Sequence, residues 1–170
     1  PDLLIGRKNA DFGQGFYLSD DKTFVVRWAK SRKDADSILN EYRLSSDGLR
    51  VKRFGQDEEW YDYILRNRAG YPDTLMGYDL VIGPIACDTI YDTWGILTSG
   101  AVGKDLALQA YRLGPSCRQI VLKSERALSA LRFVGSRVIP PEEIANQRTV
   151  VRKEEQAFME QLSKLLESEE

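Results

Sequence analysis

Apolar positions along the chain fall into short blocks that switch between two spacings, the alternation of strands and the three-to-four-residue recurrence of helices, with no fixed-period repeat. Gly15-Phe16-Tyr17-Leu18 reads as a strand. Asp20 or Asp21 then caps a helix to about Arg32, on which Phe24, Val25, Trp28 and Ala29 share a face. Residues 38–44 and 49–54 read as a strand pair around Ser45-Ser46-Asp47-Gly48, because Asp-Gly between β-formers favours a tight turn. Asp57 caps a second helix to about Arg68, with Trp60, Tyr61, Ile64 and Leu65 inward. The run at 80–85 is a buried strand closed by Gly83-Pro84. Residues 88–97 carry only a weak helical preference, and 104–113 is a firmer helix ended by Gly114-Pro115. A strand at 119–123, a short helix at 124–131 and a last strand at 133–139 follow.

Pro140-Pro141 stops that strand, and the remaining segment, to Glu170, is helical and rich in Glu, Gln, Lys and Arg. Ile144, Val151, Phe158 and Leu165 recur every seven residues with Leu162 beside them, while Arg148 and Glu155 interrupt the stripe. Two readings stand: a helix packed along its own domain, or one that docks a partner or a second copy. The division expected is therefore a domain over 1–139 and a helical extension over 140–170.

With 170 residues, 42% hydrophobic and 29% charged, the chain suits a globular fold with a sizeable core. Lys+Arg 24 against Asp+Glu 26 gives −2, so no global basic field draws it to nucleic acid. The apolar runs are far shorter than the roughly 20 residues that span a bilayer, and Pro1-Asp2-Leu3-Leu4-Ile5 lacks the plan of a signal peptide. No membrane partner and a cytoplasmic location are the expectations. Cys87 and Cys117 are too few for a disulfide framework and read as reduced and buried. The chain has no histidine, which removes Ser-His-Asp and Cys-His catalysis and HExxH zinc sites. No metal is expected.

The densest unusual segment is Asp11-Phe12-Gly13-Gln14-Gly15-Phe16-Tyr17-Leu18. Glycines let backbone approach a flat ligand or phosphate, and Tyr17 offers a stacking face with a polar tip. A bulge or turn explains such a Gly-x-Gly equally well. It is neither a dinucleotide-binding GxGxxG nor a P-loop, since the third glycine and the Gly-Lys-Ser/Thr are both missing.

Gly13-x-Gly15-Phe16-Tyr17-Leu18, followed by a helix ending in Arg27-Trp28-Ala29, resembles the second signature of ADP-ribosyltransferases of the diphtheria-toxin and poly(ADP-ribose) polymerase type. Gln119-Ile120-Val121-Leu122 resembles their last signature strand, which an acidic residue or a substitute opens. A closer resemblance, over nearly the whole chain, is to an uncharacterised bacterial family grouped with these transferases and often encoded beside an antitoxin-like partner. It rests on Asp11 to Tyr17, Glu59-Trp60 with Asn67-Arg68, Tyr78 to Ala86 with Asp88, and Gln119 to Leu122 running into Ala127-Leu128.

The resemblance implies an α+β fold, a split β-sandwich of two small sheets with surrounding helices. It implies a mono-ADP-ribosyltransferase that uses NAD as co-substrate, a bacterial toxin or defence effector modifying a protein or nucleic acid and held by a neutralising antitoxin. Tyr17 would stack on nicotinamide, Gly13, Gly15 and Phe16 would support the ligand, and Gln119 would orient the ribose. Arg7 is a candidate phosphate contact, and Asp88 and Glu125 are candidate acids near the site. Two departures matter. The usual first signature, His-Gly, is not in the chain and by the family pattern would lie upstream of Pro1. Glutamine at 119 keeps a hydrogen bond but not the charge that a carboxylate offers a cationic sugar. The alternative implied is an NAD- or partner-binding module of the same fold with weak or no turnover.

Overall fold

The computed structural model describes residues 1–29, 36–86, 95 and 102–167. The described residues form an α+β fold with two small sheets and five helices. The larger sheet has the order β1 (Phe16–Leu18), β5 (Arg118–Leu122), β4 (Leu80–Pro84), β3 (Val51–Arg53), and the smaller pairs β2 (Ser37–Leu44) with β6 (Leu131–Ile139). β4 is central and almost wholly buried, which is why its sequence is a continuous apolar run. It lies parallel to β3 and antiparallel to β5, and β1 closes the far edge of β5. The two faces of this sheet bury separate clusters. Val81 and Val121 face Phe12, Trp60, Tyr63, Tyr111, Phe158 and Leu162, whereas Leu80, Ile82 and Leu122 face Ala127, Phe16, Leu44 and Leu131.

The strand pair expected around Asp47-Gly48 does not form. Gly48 does turn the chain, at φ 71°, and Leu49 N–H donates to Ser46 O at 3.1 Å. Yet β2 pairs antiparallel with β6, while β3 goes to β4. Asp79 provides the competing attraction. Its carboxylate accepts from Arg50 N–H at 2.8 Å and from Ser124 Oγ at 2.6 Å, and Arg50 O accepts from the Asp79 and Leu80 amides. The Ser124 hydroxyl and the Arg50 amide hold the Asp79 carboxyl below the usual range. Local turn chemistry thus sets the bend, and a buried carboxylate sets the partner.

The first helix is shorter than expected. α1 (Lys22–Val26) is capped by Asp21, whose Oδ1 accepts from Phe24 N–H at 2.9 Å. It buries Phe24 and Val26, not Val25 and Trp28, because a single turn presents only a narrow face; the Trp28 ring packs edge-on against Phe24 and is 44% exposed. α2 (Glu58–Arg68), capped by Asp57, and α3 (Lys104–Leu113) have the bounds their periodicity implies. Ser124 caps α4 (Glu125–Ser129). Residues 87–94 and 96–101, which carry Cys87, Asp88 and the ambiguous 88–97 segment, lie outside the described residues.

α5 (Pro141–Glu167) packs on the body along most of its length. Ile144 joins Val26 and Ile139 in one cluster, and Phe158 and Leu162 enter the main core beside α2 and α3. Glu154 takes both Nη groups of Arg27, at 2.6 and 3.0 Å, tying α5 to the end of α1. No described helix is long and apolar enough to cross a membrane.

Leu162 is 1% exposed, so Leu162→Ala is expected to cost about 2–5 kcal/mol in urea denaturation. A chain ending at Ile139 should lose cooperative unfolding, since it would bare the face that Phe158 and Leu162 cover.

Candidate functional site

Pairing fixes the geometry of the candidate residues. Tyr17 on β1 stands opposite Val121 on β5, and Gln119 lies two residues from Val121 on the same strand. Side chains alternate along a strand, so Tyr17, Val121 and Gln119 face one side of the sheet, with Tyr17 and Gln119 in diagonal positions, Cα atoms about 7–8 Å apart by sheet geometry. Phe16, opposite Leu122, faces the other way, with its ring edge-on to Tyr42 at 5.9 Å.

Gln119 is 3% exposed. Its Nε2 donates to Pro84 O at 3.3 Å and to Asp11 Oδ2 at 3.5 Å. Pro84 O also accepts from Trp60 Nε1 at 3.0 Å. Asp11 is held in turn by α2: Arg68 reaches Oδ1 through Nε at 2.8 Å and through Nη2 at 2.7 Å, and Asn67 Nδ2 donates to Asp11 O at 3.0 Å. The polar pair at the end of α2 therefore neither caps the helix nor faces solvent. It anchors the loop that precedes β1.

A second anchor holds the same loop from the other side. Lys123 Nζ donates to Phe12 O, to Gln14 O at 3.2 Å and to Asp73 Oδ2 at 2.7 Å, with the lysine side chain only 2% exposed. Asp73 Oδ1 accepts from Tyr63 Oη at 2.8 Å and from Leu75 N–H at 2.9 Å. Burial pulls the Lys123 ammonium below the ordinary lysine range, and Asp73 opposes the shift. Burial pushes the Tyr63 phenol far up, with Asp73 adding to it.

Tyr17 takes part in this scaffold. Its hydroxyl accepts from Phe12 N–H at 3.0 Å and donates to Gly13 O at 2.7 Å. Burial raises its pKa well beyond the usual phenol range; the Asp11 and Asp73 charges raise it further, against the Phe12 amide and Arg7. Arg7 itself is exposed. The glycines are used for contact within the chain: Gly13 has φ 71°, and a Cβ there would meet Asp73 Oδ2 at 2.7 Å. At Gly15 a Cβ would meet Leu122 O at 2.5 Å. Gln14 Nε2 draws the N-terminal segment onto this loop through Leu4 O and Gly6 O, at 2.9 and 3.1 Å.

A groove of about 410 Å³ opens where that segment meets β1, lined by Pro1, Asp2, Ile5, Gly6, Gly15, Phe16 and Tyr17. Three of the expected ligand-binding residues meet there. Gln119 is not among its lining residues and joins Tyr17 only through the shared sheet face and the Asp11 loop. Asp88 lies outside the described residues, and Glu125 sits in the first turn of α4. No group of three or more Cys, Asp or Glu residues is arranged to hold a metal ion among the described residues.

Residues 1–133 match the model of a family described as "Protein of unknown function (DUF3990)", which spans both sheets up to the early part of β6. The chain belongs to this family. No curated protein and no solved structure matches it. The family segment contains every member of the two anchors.

Sequence reasoning did not assign Tyr63, Asp73 or Lys123. Lys123 had a legible signal: it follows Gln119 and Val121 at every second position, so a cation had to enter the same face as a buried valine. Asp73, in the loop after α2, had none.

Tyr17→Phe should cost about 1–3 kcal/mol in chemical denaturation, since it leaves the Phe12 amide and Gly13 carbonyl without their partner. Both phenols keep their protons longer folded than unfolded, so stability falls as pH rises above about 10, where the unfolded phenols ionise. Lys123 acts with the opposite sign, adding stability as pH rises toward its unfolded value of about 10.4. Melting temperatures across about pH 9–11.5 should show an alkaline fall that Tyr63→Phe and Tyr17→Phe each flatten.

Proposed function

We propose that the protein is an NAD-dependent mono-ADP-ribosyltransferase of split β-sandwich type, with the nicotinamide ring against Tyr17 and the adjoining ribose at Gln119. The observation that carries this reading is the diagonal placement of Tyr17 and Gln119, a hundred residues apart in sequence, on one face of the β1-β5 pair. The groove beside Tyr17 has the volume of small-molecule sites and an apolar wall of Ile5 and Phe16; Phe16 faces away from Gln119, so the groove supports the Tyr17 end of the reading and not the ribose contact. Glycine backbone already packed on Leu122 supports such a ligand from behind rather than by cradling phosphates.

Bound NAD supplies the glycosidic bond whose cleavage leaves positive charge on the ribose. Gln119 accepts a hydrogen bond from a ribose hydroxyl and fixes the sugar, while the Tyr17 ring, steadied by its own hydroxyl, fixes the leaving base. An exposed Arg7 is available to a phosphate. A neutral amide stabilises the developing cation less than a carboxylate, a loss of about 3 kcal/mol or roughly a hundredfold in rate by analogy with removing one preorganised group. The acceptor is a nucleophile on a protein or nucleic acid, and an antitoxin-like protein is the neutralising partner. The burial of Gln119 and the engagement of its amide nitrogen favour a second reading, an NAD-binding module without turnover.

Millimolar NAD should raise the melting temperature, and Tyr17→Phe, which keeps the ring, should preserve the rise that Tyr17→Ala removes. Nicotinamide release by wild type but not by Gln119→Ala supports the transferase. A shift without release selects the binding module, and no shift overturns both.

A further inference from the structure

The Gln119 amide lies between two groups that can only accept: the Pro84 carbonyl and the Asp11 carboxylate. Asp11 cannot turn away, because Arg68 holds its Oδ1 twice and Asn67 holds its main chain. An amide with two acceptors on one side must turn its NH₂ toward them. Its carbonyl oxygen then points away, and no protein donor reaches Oε1 among the described residues.

We propose that Asp11 is the positioning residue of this site, holding the Gln119 amide by its nitrogen so that position 119 presents a carbonyl oxygen to a ligand hydroxyl and has no room for a second carboxylate. The negative charge expected at position 119 thus stands beside it, on the loop. The hydroxyl-bearing ligand rests on the NAD reading above; the acid–amide pair does not.

A carboxylate at 119 would face Asp11 and Pro84 O with no proton between them. Like charges at that distance raise one of the two carboxyls. Among the described residues, Arg68 lies behind Asp11, already committed to its Oδ1, and Lys123, just after the strand of Gln119, is engaged by Asp73 and two carbonyls. Arg118 pairs with Asp20. None of these cations is free to neutralise the newcomer.

The test compares wild type, Asp11→Asn, Gln119→Glu and the double exchange Asp11→Asn/Gln119→Glu. Carbon-detected NMR titration of Gln119→Glu should show a carboxyl of the pair titrating at least about one pH unit above the ordinary carboxyl, about 4.3 for Glu. The sign follows: the raised carboxyl costs nothing while protonated, so the melting-temperature deficit is absent near about pH 4 and grows toward about pH 7. In the double exchange the amide introduced at position 11 donates to the carboxylate introduced at position 119, the shift disappears, and the melting temperature returns most of the way to wild type. Gln119→Glu as stable as wild type at neutral pH with an ordinary carboxyl, or a double variant that merely adds the two single losses, would overturn the proposal. If NAD binds, Asp11→Asn should lower nicotinamide release roughly tenfold or more through kcat with KM little changed, because an amide at position 11 can also donate and so lets the Gln119 amide flip; unchanged release would overturn the positioning role. Should wild type neither bind nor cleave NAD while the NMR and melting results hold, the transferase reading falls and the Asp11–Gln119 pair stands.

Discussion

Lys123 sets an ammonium group, almost fully withdrawn from water, against two main-chain carbonyls and the Asp73 carboxylate. A buried cation without such partners would cost several kcal/mol or shed its proton, so the surrounding chain has little freedom to rearrange. Two of the acceptors belong to the loop from Asp11 to Gln14, and the third stands in the stretch after α2. The same ion pair that neutralises Lys123 thus fixes where the glycine-containing loop leaves the helix layer and how β1 enters the sheet. Buried ion pairs are weak evidence of net stabilisation, but apolar residues in place of this one would also leave the Phe12 and Gln14 carbonyls, the Tyr63 hydroxyl and the Leu75 amide without these partners. Such a replacement would not preserve the position of the Phe12 and Gln14 carbonyls.

That constraint explains why the inward face of β5 and the residue after it alternate polar, apolar, polar. Gln119, Val121 and Lys123 point the same way, and each polar end meets one end of the loop: Gln119 meets Asp11, Lys123 meets Phe12 O and Gln14 O. Between them the Phe12 ring is wholly buried, tilted against Phe54 and Tyr63, and Tyr17 closes the loop on itself through Phe12 and Gly13. The loop is therefore nailed at three points and has an aromatic plug at its centre. Scaffolding of this density is what a site on a loop needs if its geometry is to be held within fractions of an ångström.

The elements whose existence depends on local chemistry were legible from sequence. α2 and α3 follow from a capping aspartate or a glycine boundary together with a helical apolar stripe, and β4 follows from an uninterrupted apolar run. The pairing of β2 was not legible, because the turn at Gly48 is real and nothing in the flanking residues reveals that Asp79 claims the backbone at Arg50. α1 was overextended for a related reason: Trp28 shares the helical spacing but packs on Phe24 from a surface position. In the site, the spacing of Tyr17 and Gln119 along their strands was readable only once β1 and β5 were paired. The roles of Asn67 and Arg68 reversed the ordinary expectation for a helix end, because their partner, Asp11, lies 56 and 57 residues away.

Gly13 and Gly15 carry the least functional information of all the motif residues, although they are its most conspicuous part. Gly13 is required by a left-handed backbone and by the closeness of Asp73, and Gly15 by the β5 backbone at Leu122. Both would be needed in a protein of this fold that bound nothing. Proposed NAD binding turns on what remains after the scaffold's own contacts are made: the part of the Tyr17 ring not packed on the main core, its hydroxyl being engaged by Phe12 and Gly13, and the Gln119 carbonyl oxygen, whose amide nitrogen is engaged by Pro84 and Asp11. On the NAD reading proposed above, a flat ring would meet the first and a hydroxyl donor the second.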